Sequence, residues 1–385
     1  ISPTVTSVSS SSANGTYGVG QVVAVTVVFS EPVLVSGTPQ ITLETGASDA
    51  VVNLSSGSGT NTLTFNYTVR AGDSTLDLDY LSTAALALNG GIIKDPAENL
   101  AVLTLPNTGG ANSIAGQKNI VIDTTAPTIT YQSVSPASPA MIQTPTLTLT
   151  MSETATVTLY SNSLCSAAVS TPVVLNGGAG RTVTTNALPA NATTTLYAKA
   201  VDAVNNVSSC TIMVVYTHDI TRPTVSSFTR SAGQLASTNS VPVNFTITFS
   251  EPVNPSSFTA ADISNYGTST GVLWTVTDTG DHTSYIVAAT VASNGTLQPR
   301  LASGSITDVA GNANFGNVNS SNTVNYFVAA YTVMVNQNDN QAESTNGLPI
   351  NFTVVFSGAV GNNTFDTSDI VQNGTASGIT WSLTT

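Results

Sequence analysis

The stretch VTVVFSEPV at residues 25–33 decides the fold, because apolar and polar side chains alternate along it up to a Ser-Glu pair. The same pattern returns as LTLTMSETA at 147–155, FTITFSEPV at 245–253 and FTVVFSGAV at 352–360. A period of two residues gives a strand one buried and one wetted face, as an antiparallel sandwich requires. Each copy therefore predicts such a strand, followed by a turn that contains the Ser.

Two further markers recur in fixed order with these strands. KDPAEN at 94–99, VDAVNN at 201–206 and TDVAGN at 307–312 each have an Asp followed four residues later by an Asn. DTTAPTI at 123–129 and DITRPTV at 219–225 place a Pro where a strand ladder cannot continue. The spacing predicts tandem sandwich domains of roughly 100 residues each. The predicted repeats cover residues 1–123, 124–219, 220–328 and 329–385.

The composition excludes several classes of protein. Charged residues make up 8% of the chain, and 21 acidic against 8 basic side chains give a net charge of -13. We expect no nucleic-acid partner, because no Lys/Arg cluster is present to neutralise phosphates. We expect no membrane insertion in this segment, because polar residues break every apolar run before the ~18 residues of a spanning helix. The apolar content of 41% can fill cores, so the predicted fold class is all-β rather than disordered.

The fourth repeat is too short for a complete sandwich, since it ends at Thr385. Half a sandwich cannot bury its inner sheet face. Either the natural chain continues past this point, or another chain supplies the missing strands. We favour the first interpretation.

These motifs resemble the Ig-like repeats of large bacterial surface adhesins and other long repetitive secreted proteins. The residues that carry the resemblance are FSEPV, the Asp-x-Ala-Gly-Asn turn at 308–312 and the DTTAP linker. The resemblance implies rigid stalk modules on the bacterial cell surface, often dependent on calcium at their junctions. It implies neighbouring Ig-like domains of the same longer chain as partners, and it leaves the host or surface ligand unknown.

The three markers predict a metal site at the junctions between repeats. In an Ig-like sandwich, the loops that carry the markers lie at one pole, so their side chains converge there. Carboxylates gathered without Lys or Arg repel one another, and an all-oxygen set suits Ca²⁺ better than Zn²⁺. The alternative is that each Asp only caps its own turn. The predicted structural calcium ligands are Asp123, Glu153, Asp202 and Asn206 at the first junction, and Asp219, Glu251, Asp308 and Asn312 at the second.

The first repeat and the third junction depart from this pattern. Glu31, Asp95 and Asn99 are present in the first repeat, but the linker before them is missing, so a site there is incomplete. The third linker, at 328–335, contains no Asp, and the strand of the fourth copy ends in Ser-Gly instead of Ser-Glu. We predict no calcium and more bending freedom at the third junction.

The two cysteines, Cys165 and Cys210, fall in the second repeat. A disulfide within that repeat is the favoured prediction, consistent with an oxidising location. Two separate buried thiols are the alternative.

Catalytic motifs are weak in this sequence. GTSTG at 267–271 matches GxSxG, but it lies between two predicted strands rather than on a strand-to-helix elbow. The matching turn of the fourth repeat has Ala at the nucleophile position. His218 and His282 are the two histidines of the chain, which leaves little material for a Ser-His-Asp triad. We expect no enzyme.

The favoured function is a calcium-stiffened stalk, an elongated rod that projects the distal binding part of a bacterial adhesin. One alternative is a self-assembling extracellular filament or surface-layer subunit, in which a neighbour completes the fourth repeat. Another is an Ig-like module that binds glycan or protein through exposed aromatic residues such as Trp274 and Trp381. Both tryptophans follow the same turn in their repeats, which favours shared sheet packing for them.

Overall fold

The computed structural model describes residues 1–316, 322–329, 331–360 and 365–384. Strands dominate the described residues, as the sequence predicts, and the neighbouring strands of the sandwiches are mostly antiparallel. The chain divides into two compact units, Ile1–Thr221 with Val309–Asn312 and Arg222–Asp308 with Ala313–Thr385. No helix in the described ranges is long and apolar enough to cross a bilayer.

Ten strands enclose the core of the first repeat. They are β1 (Val5–Ser10), β2 (Gly15–Tyr17), β3 (Val22–Ser36), β4 (Gln40–Glu44), β5 (Ala50–Ser56), β6 (Thr60–Thr68), β7 (Asp79–Tyr80), β8 (Leu86–Ala87), β9 (Ile92–Lys94) and β10 (Ile120–Ile122), with helix α1 (Ile114–Gln117) before β10. Eight strands form one sheet in the order β1-β3-β6-β5-β4-β7, with β8 beside β4 and β9 beside β3, while β10 pairs in parallel with β2. Alternate residues of β3, such as Val25 and Val27, are fully buried, as the two-residue period predicts.

The Ser-Glu pair of the first repeat does not form the predicted turn. Strand β3 runs without interruption through Ser30 and Glu31. Its register against β6 slips between Val28 and Val33, after which β3 pairs with β9. A bulge of this kind lets one strand bend and change partners without ending its hydrogen bonding. The prediction of a turn was therefore wrong in this repeat.

The second repeat is a sandwich of two separate sheets. Its strands are β11 (Ile129–Ser135), β12 (Thr146–Met151), β13 (Ala155–Tyr160), β14 (Val173–Leu175), β15 (Gly178–Thr184), β16 (Ala192–Val201) and β17 (Thr211–His218). One sheet has the order β11-β12-β15 and the other has the order β14-β13-β16-β17. The chain passes from the first sheet to the second at Ser152–Thr154, so here the Ser-Glu pair is a true turn. Leu147, Leu149, Val157 and Leu159 are fully buried between the two sheets.

The structure contains the predicted disulfide. Cys165, in the loop after β13, is bonded to Cys210, which directly precedes β17, and their Cα atoms are 5.8 Å apart. Neither cysteine of the chain is free.

The second unit holds most of the third repeat, without Val309–Asn312, and the strand pair that follows it. Its strands are β18 (Val225–Arg230), β19 (Ser237–Thr238), β20 (Val243–Phe249), β21 (Ile263–Asn265), β22 (Leu273–Asp278), β23 (Ser284–Thr290), β24 (Gly295–Leu297), β25 (Pro299–Leu301), β26 (Val324–Tyr326), β27 (Val333–Gln337) and β28 (Phe352–Phe356), with 3₁₀ turns at Pro255–Ser257, Ala260–Asp262 and Thr367–Asp369. The sheets are β18-β20-β23-β22, β19-β26-β24, β21-β25 and β27-β28. Residue 330 of the third linker lies outside the described residues.

The two tryptophans occupy similar places in the third and fourth repeats. The Trp274 ring is half-buried and lies 6.2 Å, between ring centroids, from Phe245 of the third core. The Trp381 ring lies at the same distance from Phe352 of β28. Each tryptophan therefore packs against the strand that carries the recurring FT sequence.

Candidate metal centre at the first junction

Asp123 is held in place by its own linker and by the first repeat. Its backbone N–H donates to the Tyr17 carbonyl at 3.0 Å, which extends the ladder of β10 on β2. Its side-chain Oδ1 accepts the N–H of Thr125 at 2.9 Å, a local bond typical of Asp in a turn. Thr124 donates its hydroxyl to the Asp73 carbonyl at 2.8 Å and accepts the Gly72 N–H at 3.1 Å. The linker is thus bonded to the first repeat through backbone and side chain.

Glu153 reaches the site because the second repeat changes sheets at this point. The turn between β12 and β13 is closed by Ser152, whose N–H donates to the Thr128 carbonyl at 3.1 Å. The Ser152 hydroxyl in turn accepts the Thr128 N–H at 2.9 Å. These reciprocal bonds fix the turn against the end of the linker and leave the Glu153 side chain half-buried beside it.

Asp202 closes the late loop of the second repeat and is buried. Its Oδ1 accepts the N–H groups of Val204 and Asn206 at 2.9 and 2.8 Å, and its Oδ2 accepts the Asn206 side-chain amide at 2.8 Å. The loop also requires Asn205 in the left-handed region, at φ 70°. The predicted capping role of the Asp is therefore present in full. A carboxylate offers about four acceptor positions, so roughly one of them stays open on Asp202.

Asp202 both caps its own turn and belongs to a cluster of three carboxylates. One oxygen each from Asp123, Glu153 and Asp202 lies within 4.8 Å of the others. The ion pairs among the described residues are Lys94–Glu98 and Asp278–His282, so neither a Lys nor an Arg neutralises this cluster. Desolvation, together with the charges of Asp123 and Asp202, raises the pKa of Glu153. The cluster therefore brings together three carboxylate oxygens, and a cation bound there would relieve their repulsion.

Asn206 connects the late loop of the second repeat to the linker. Its side-chain amide nitrogen donates to the Asp123 carbonyl at 3.1 Å as well as to Asp202. Through this nitrogen Asn206 ties the loop to the linker, and its predicted role as a metal ligand stays a prediction. The sequence alone could not distinguish these roles, because an Asn side chain has both a donor and an acceptor end.

An open groove runs beside the carboxylates. Its volume is about 340 Å³, and its walls include Leu76, Val121, Ala126, Asp123 and Glu153. The groove gives an ion a path to the carboxylates from solvent, which any exchangeable metal site needs.

The predicted residues of the first repeat are not gathered in this way. Glu31 lies within strand β3, and Asp95 and Asn99 form the loop after β9. None of these three residues belongs to a cluster of three or more possible metal ligands among the described residues. Asp95 forms the same turn as Asp202, and the Asn99 side chain and the N–H groups of Asn99 and Ala97 hold its pKa below the usual range. The first repeat therefore has the turn without the cluster.

The residues predicted for the second junction belong to different units. Asp219 and Asn312 lie in the first unit, where the Asn312 side-chain amide donates to the Asp219 carbonyl at 3.0 Å. This bond matches the one between Asn206 and Asp123. Glu251 and Asp308 lie in the second unit, and a calcium site that includes them stays a prediction from the sequence.

A close contact at the first junction has no signal in the sequence. Gly18 is buried, and a Cβ atom at this position would lie 2.7 Å from the Val204 carbonyl oxygen and 3.0 Å from the Val204 Cβ. The late loop of the second repeat therefore packs directly on the backbone of the first. Nothing in the sequence TYGVG distinguishes Gly18 from an ordinary turn residue.

Comparisons with known proteins assign no family. No family model matches the chain, and no curated protein matches it. An I-band fragment of titin is 9% identical over 86% of this chain and 99% of its own, with a TM-score of 0.32. A tetra-tandem repeat from the extending region of a large adhesion protein is 14% identical over 93% of this chain and 88% of its own, at 0.23. The S-layer protein rSbsC is 12% identical over 93% of this chain and 63% of its own, with a TM-score of 0.17. With TM-scores this low, none of these likenesses assigns a function.

Proposed function

We propose that this chain is a non-enzymatic stalk segment of a large bacterial surface adhesin and that Ca²⁺ stiffens its first junction. The observation that carries the proposal is the convergence of Asp123, Glu153 and Asp202 within 4.8 Å. These residues come from the linker and from two loops of the second repeat. Ca²⁺ accepts about six to eight oxygen ligands in loose geometry, which suits side chains that loops supply.

The bonding of the linker explains how an ion would act mechanically. Thr124 and the Asp123 N–H connect the linker to the first repeat. An ion held by Asp123, Glu153 and Asp202 would connect the same linker to the second repeat. Without the ion, mutual repulsion of the carboxylates opposes that connection. A calcium site at the second junction stays a prediction from its sequence motifs.

A stalk needs no catalytic residues, and the GTSTG turn fits a structural role. Ser269 lies in the turn between β21 and β22, and its N–H donates to the Thr296 carbonyl at 3.1 Å. Asn265 donates its side-chain amide to the Ser269 carbonyl at 3.0 Å. These bonds hold the turn against a neighbouring strand. In the proposal, the external location and the adhesin context rest on the sequence resemblance.

Calcium titration of the full chain tests the proposal. We expect calorimetry to show calcium binding to the chelator-treated chain, and Glu153→Gln to reduce the number of bound ions by one. Glu31→Gln is the matched control, because Glu31 follows Ser in the same sequence pattern but lies outside the cluster. Equal calcium binding by Glu153→Gln and the unmodified chain would contradict the proposal, and so would an absence of binding at millimolar calcium.

A further inference from the structure

Two arginines of the second unit lie over aromatic rings. The guanidinium carbon of Arg222 is 4.4 Å from the centroid of the Phe315 ring, and that of Arg300 is 4.1 Å from the centroid of the Tyr266 ring. Such stacks are attractive, because the cation faces the negative surface of the ring. The two pairs share this geometry but differ in what else the guanidinium binds.

The Arg222 side chain has a structural partner. Its Nε donates to the Ala313 carbonyl at 2.7 Å. The Phe315 N–H donates to the Pro223 carbonyl at 3.0 Å, next to the arginine. The Arg222 stack therefore fastens the start of the third repeat to the segment that follows its late loop, which accounts for the stack in structural terms.

The Arg300 guanidinium has no such partner. Its Nε is shielded from solvent and makes no hydrogen bond within the part of the chain that the structure describes. The two ion pairs found in that part do not include Arg300 either. Asp262, four residues before Tyr266, is engaged elsewhere, because its Oδ2 accepts the N–H and the hydroxyl of Thr259. A shielded donor without a partner is uncommon in folded proteins and calls for an explanation.

The sheet register places three more polar side chains around Arg300. Strand β21 pairs with β25 so that Ser264 lies opposite Arg300, and the Tyr266 N–H donates to the Gln298 carbonyl at 2.9 Å. Residues of a strand alternate between its two sides, and Leu301 beside Arg300 is buried in the core. The outward residues, which we call the platform, are Ser264, Tyr266, Gln298 and Arg300. Tyr266 is 62% exposed, so part of its ring surface is open to a ligand.

The side chains of the platform match a carboxylated sugar. A planar guanidinium binds a carboxylate through two parallel hydrogen bonds. An exposed Tyr ring offers an apolar surface to the C–H face of a pyranose ring. The amide of Gln298 and the hydroxyl of Ser264 supply donors and acceptors for sugar hydroxyls. A simple carboxylate would use Arg300 alone, so the exposed ring beside it favours a ligand that also has an apolar face.

The charge of the chain narrows the class of ligand further. With a net charge of -13, the chain repels polyanions such as nucleic acids and sulfated polysaccharides. A ligand with a single carboxylate meets the Arg300 cation at short range, while salt screens the more distant acidic residues. The platform is therefore suited to one negative charge.

We propose that the platform binds the terminal carboxylated sugar of a glycan. The inference goes beyond the proposed stalk and needs no calcium. The sequence placed a glycan-binding alternative on Trp274 and Trp381, whose rings pack against Phe245 and Phe352. One open platform should bind weakly, and binding should gain strength where many copies are anchored close together.

Saturation-transfer NMR of the full chain with methyl β-glucuronide, in EDTA, tests the inference. We expect a Kd of roughly 1 mM, with the strongest transfer to the C–H protons on one face of the sugar. Methyl β-glucoside lacks the carboxylate and should bind at least about tenfold more weakly, because a charged hydrogen bond is lost. Salt at about 1 M should weaken glucuronide binding several-fold.

Variants of the platform locate the site. Arg300→Gln should weaken glucuronide binding at least about tenfold. Arg300→Lys keeps the charge but should still weaken binding several-fold, because an ammonium group cannot form the planar pair of hydrogen bonds. Tyr266→Leu should also weaken it several-fold. The matched control is Arg222→Gln, which removes the other stacked arginine and should leave binding unchanged. Circular dichroism should show that every variant stays folded at the temperature of the measurement.

Several outcomes would overturn the inference. One is an absence of saturation transfer at about 10 mM glucuronide, well above the expected Kd. Another is binding that Arg300→Gln and Tyr266→Leu leave unchanged. Equal affinity for acetate or for capped glutamate would show a general carboxylate site instead of a sugar site. Glu153→Gln should bind the sugar like the unmodified chain, so a failure of the calcium proposal and a failure of this one are distinguishable.

Discussion

The late loops of the first and second repeats share one backbone but have different surroundings. Asp95 accepts the N–H groups of Ala97 and Asn99 at 2.8 Å each, and Asp202 accepts the corresponding N–H groups at 2.9 and 2.8 Å. Glu98 and Asn205, the residues before each Asn, both have φ of 70°. Only the second loop also bonds to a linker and meets two other carboxylates. The Asp-x-x-x-Asn motif thus forms the same turn in both repeats. It is part of a candidate site only where other carboxylates lie nearby.

The largest effect is expected from Asp202→Ala, and it separates the capping role of this Asp from its proposed role in calcium binding. Asp202→Ala leaves three N–H donors without their acceptor, which should cost about 1–3 kcal/mol without calcium. Bound calcium adds about 2.7 kcal/mol when the free ion exceeds the Kd a hundredfold, and the variant should lose this gain too. Asp95→Ala should destabilise the first repeat but leave the calcium response intact. Thermal melts with calcium and with EDTA, combined with hydrogen exchange resolved by repeat, measure both quantities.

Two outcomes would remove the distinction between the loops. If Asp95→Ala abolishes the calcium response as Asp202→Ala does, the first loop also binds an ion. If neither variant changes that response, both aspartates are turn caps alone.

A smaller effect is expected from the contact that only the second loop makes. Gly18→Ala places a methyl group 2.7 Å from the Val204 carbonyl, and the backbone oxygen cannot rotate away. Overpacking of this kind costs about 1–3 kcal/mol, and we expect the lower end because the loop lies at the surface. Residue 97, the counterpart of Val204 in the first loop, is an Ala.

Chemical denaturation and hydrogen exchange at the late loop test this contact. Gly347→Ala is the matched control, because its Cβ would meet only the Thr345 hydroxyl, at the ordinary distance of 3.5 Å. Gly347→Ala should be neutral or slightly stabilising. Equal behaviour of the two variants would show that the loop does not press on the first repeat.

The sequence predicted the all-β fold because alternation along strands such as β12 and β20 is a local property. It also predicted the disulfide and the meeting of Asp123, Glu153 and Asp202, because repeated motifs at one pole of a sandwich must converge. The prediction failed where the same sequence motif has different surroundings in two repeats. Ser30 and Glu31 continue a strand because β9 is available as a partner, whereas Ser152 and Glu153 turn because the chain changes sheets. Likewise, the orientation of the Asn206 amide depends on the Asp123 carbonyl, which is distant in sequence.

The smallest expected effect is a difference in pH dependence between the two loops. The pKa of Glu153 is raised, so between its ordinary and raised values the folded chain binds more protons than the unfolded chain. Without calcium, the second repeat should therefore become more stable as the pH falls from 7 toward about 4.3, the ordinary Glu value. The pKa of Asp95 is lowered, so the first repeat should lose stability only as the pH falls below the ordinary Asp range. Glu153 is partly exposed, so its gain should stay under about 1 kcal/mol.

Hydrogen exchange resolved by repeat, measured from neutral pH to below the ordinary Asp range, checks the opposite signs. Glu153→Gln mimics the protonated side chain, so it should make the second repeat more stable at neutral pH without calcium and remove its pH dependence. Calcium should reverse the trend for the unmodified chain, because the ion requires deprotonated ligands and dissociates as they become protonated. Glu31→Gln should change neither result. If the second repeat loses stability steadily on acidification without calcium, the carboxylates do not repel one another, and the electrostatic difference between the two loops is absent.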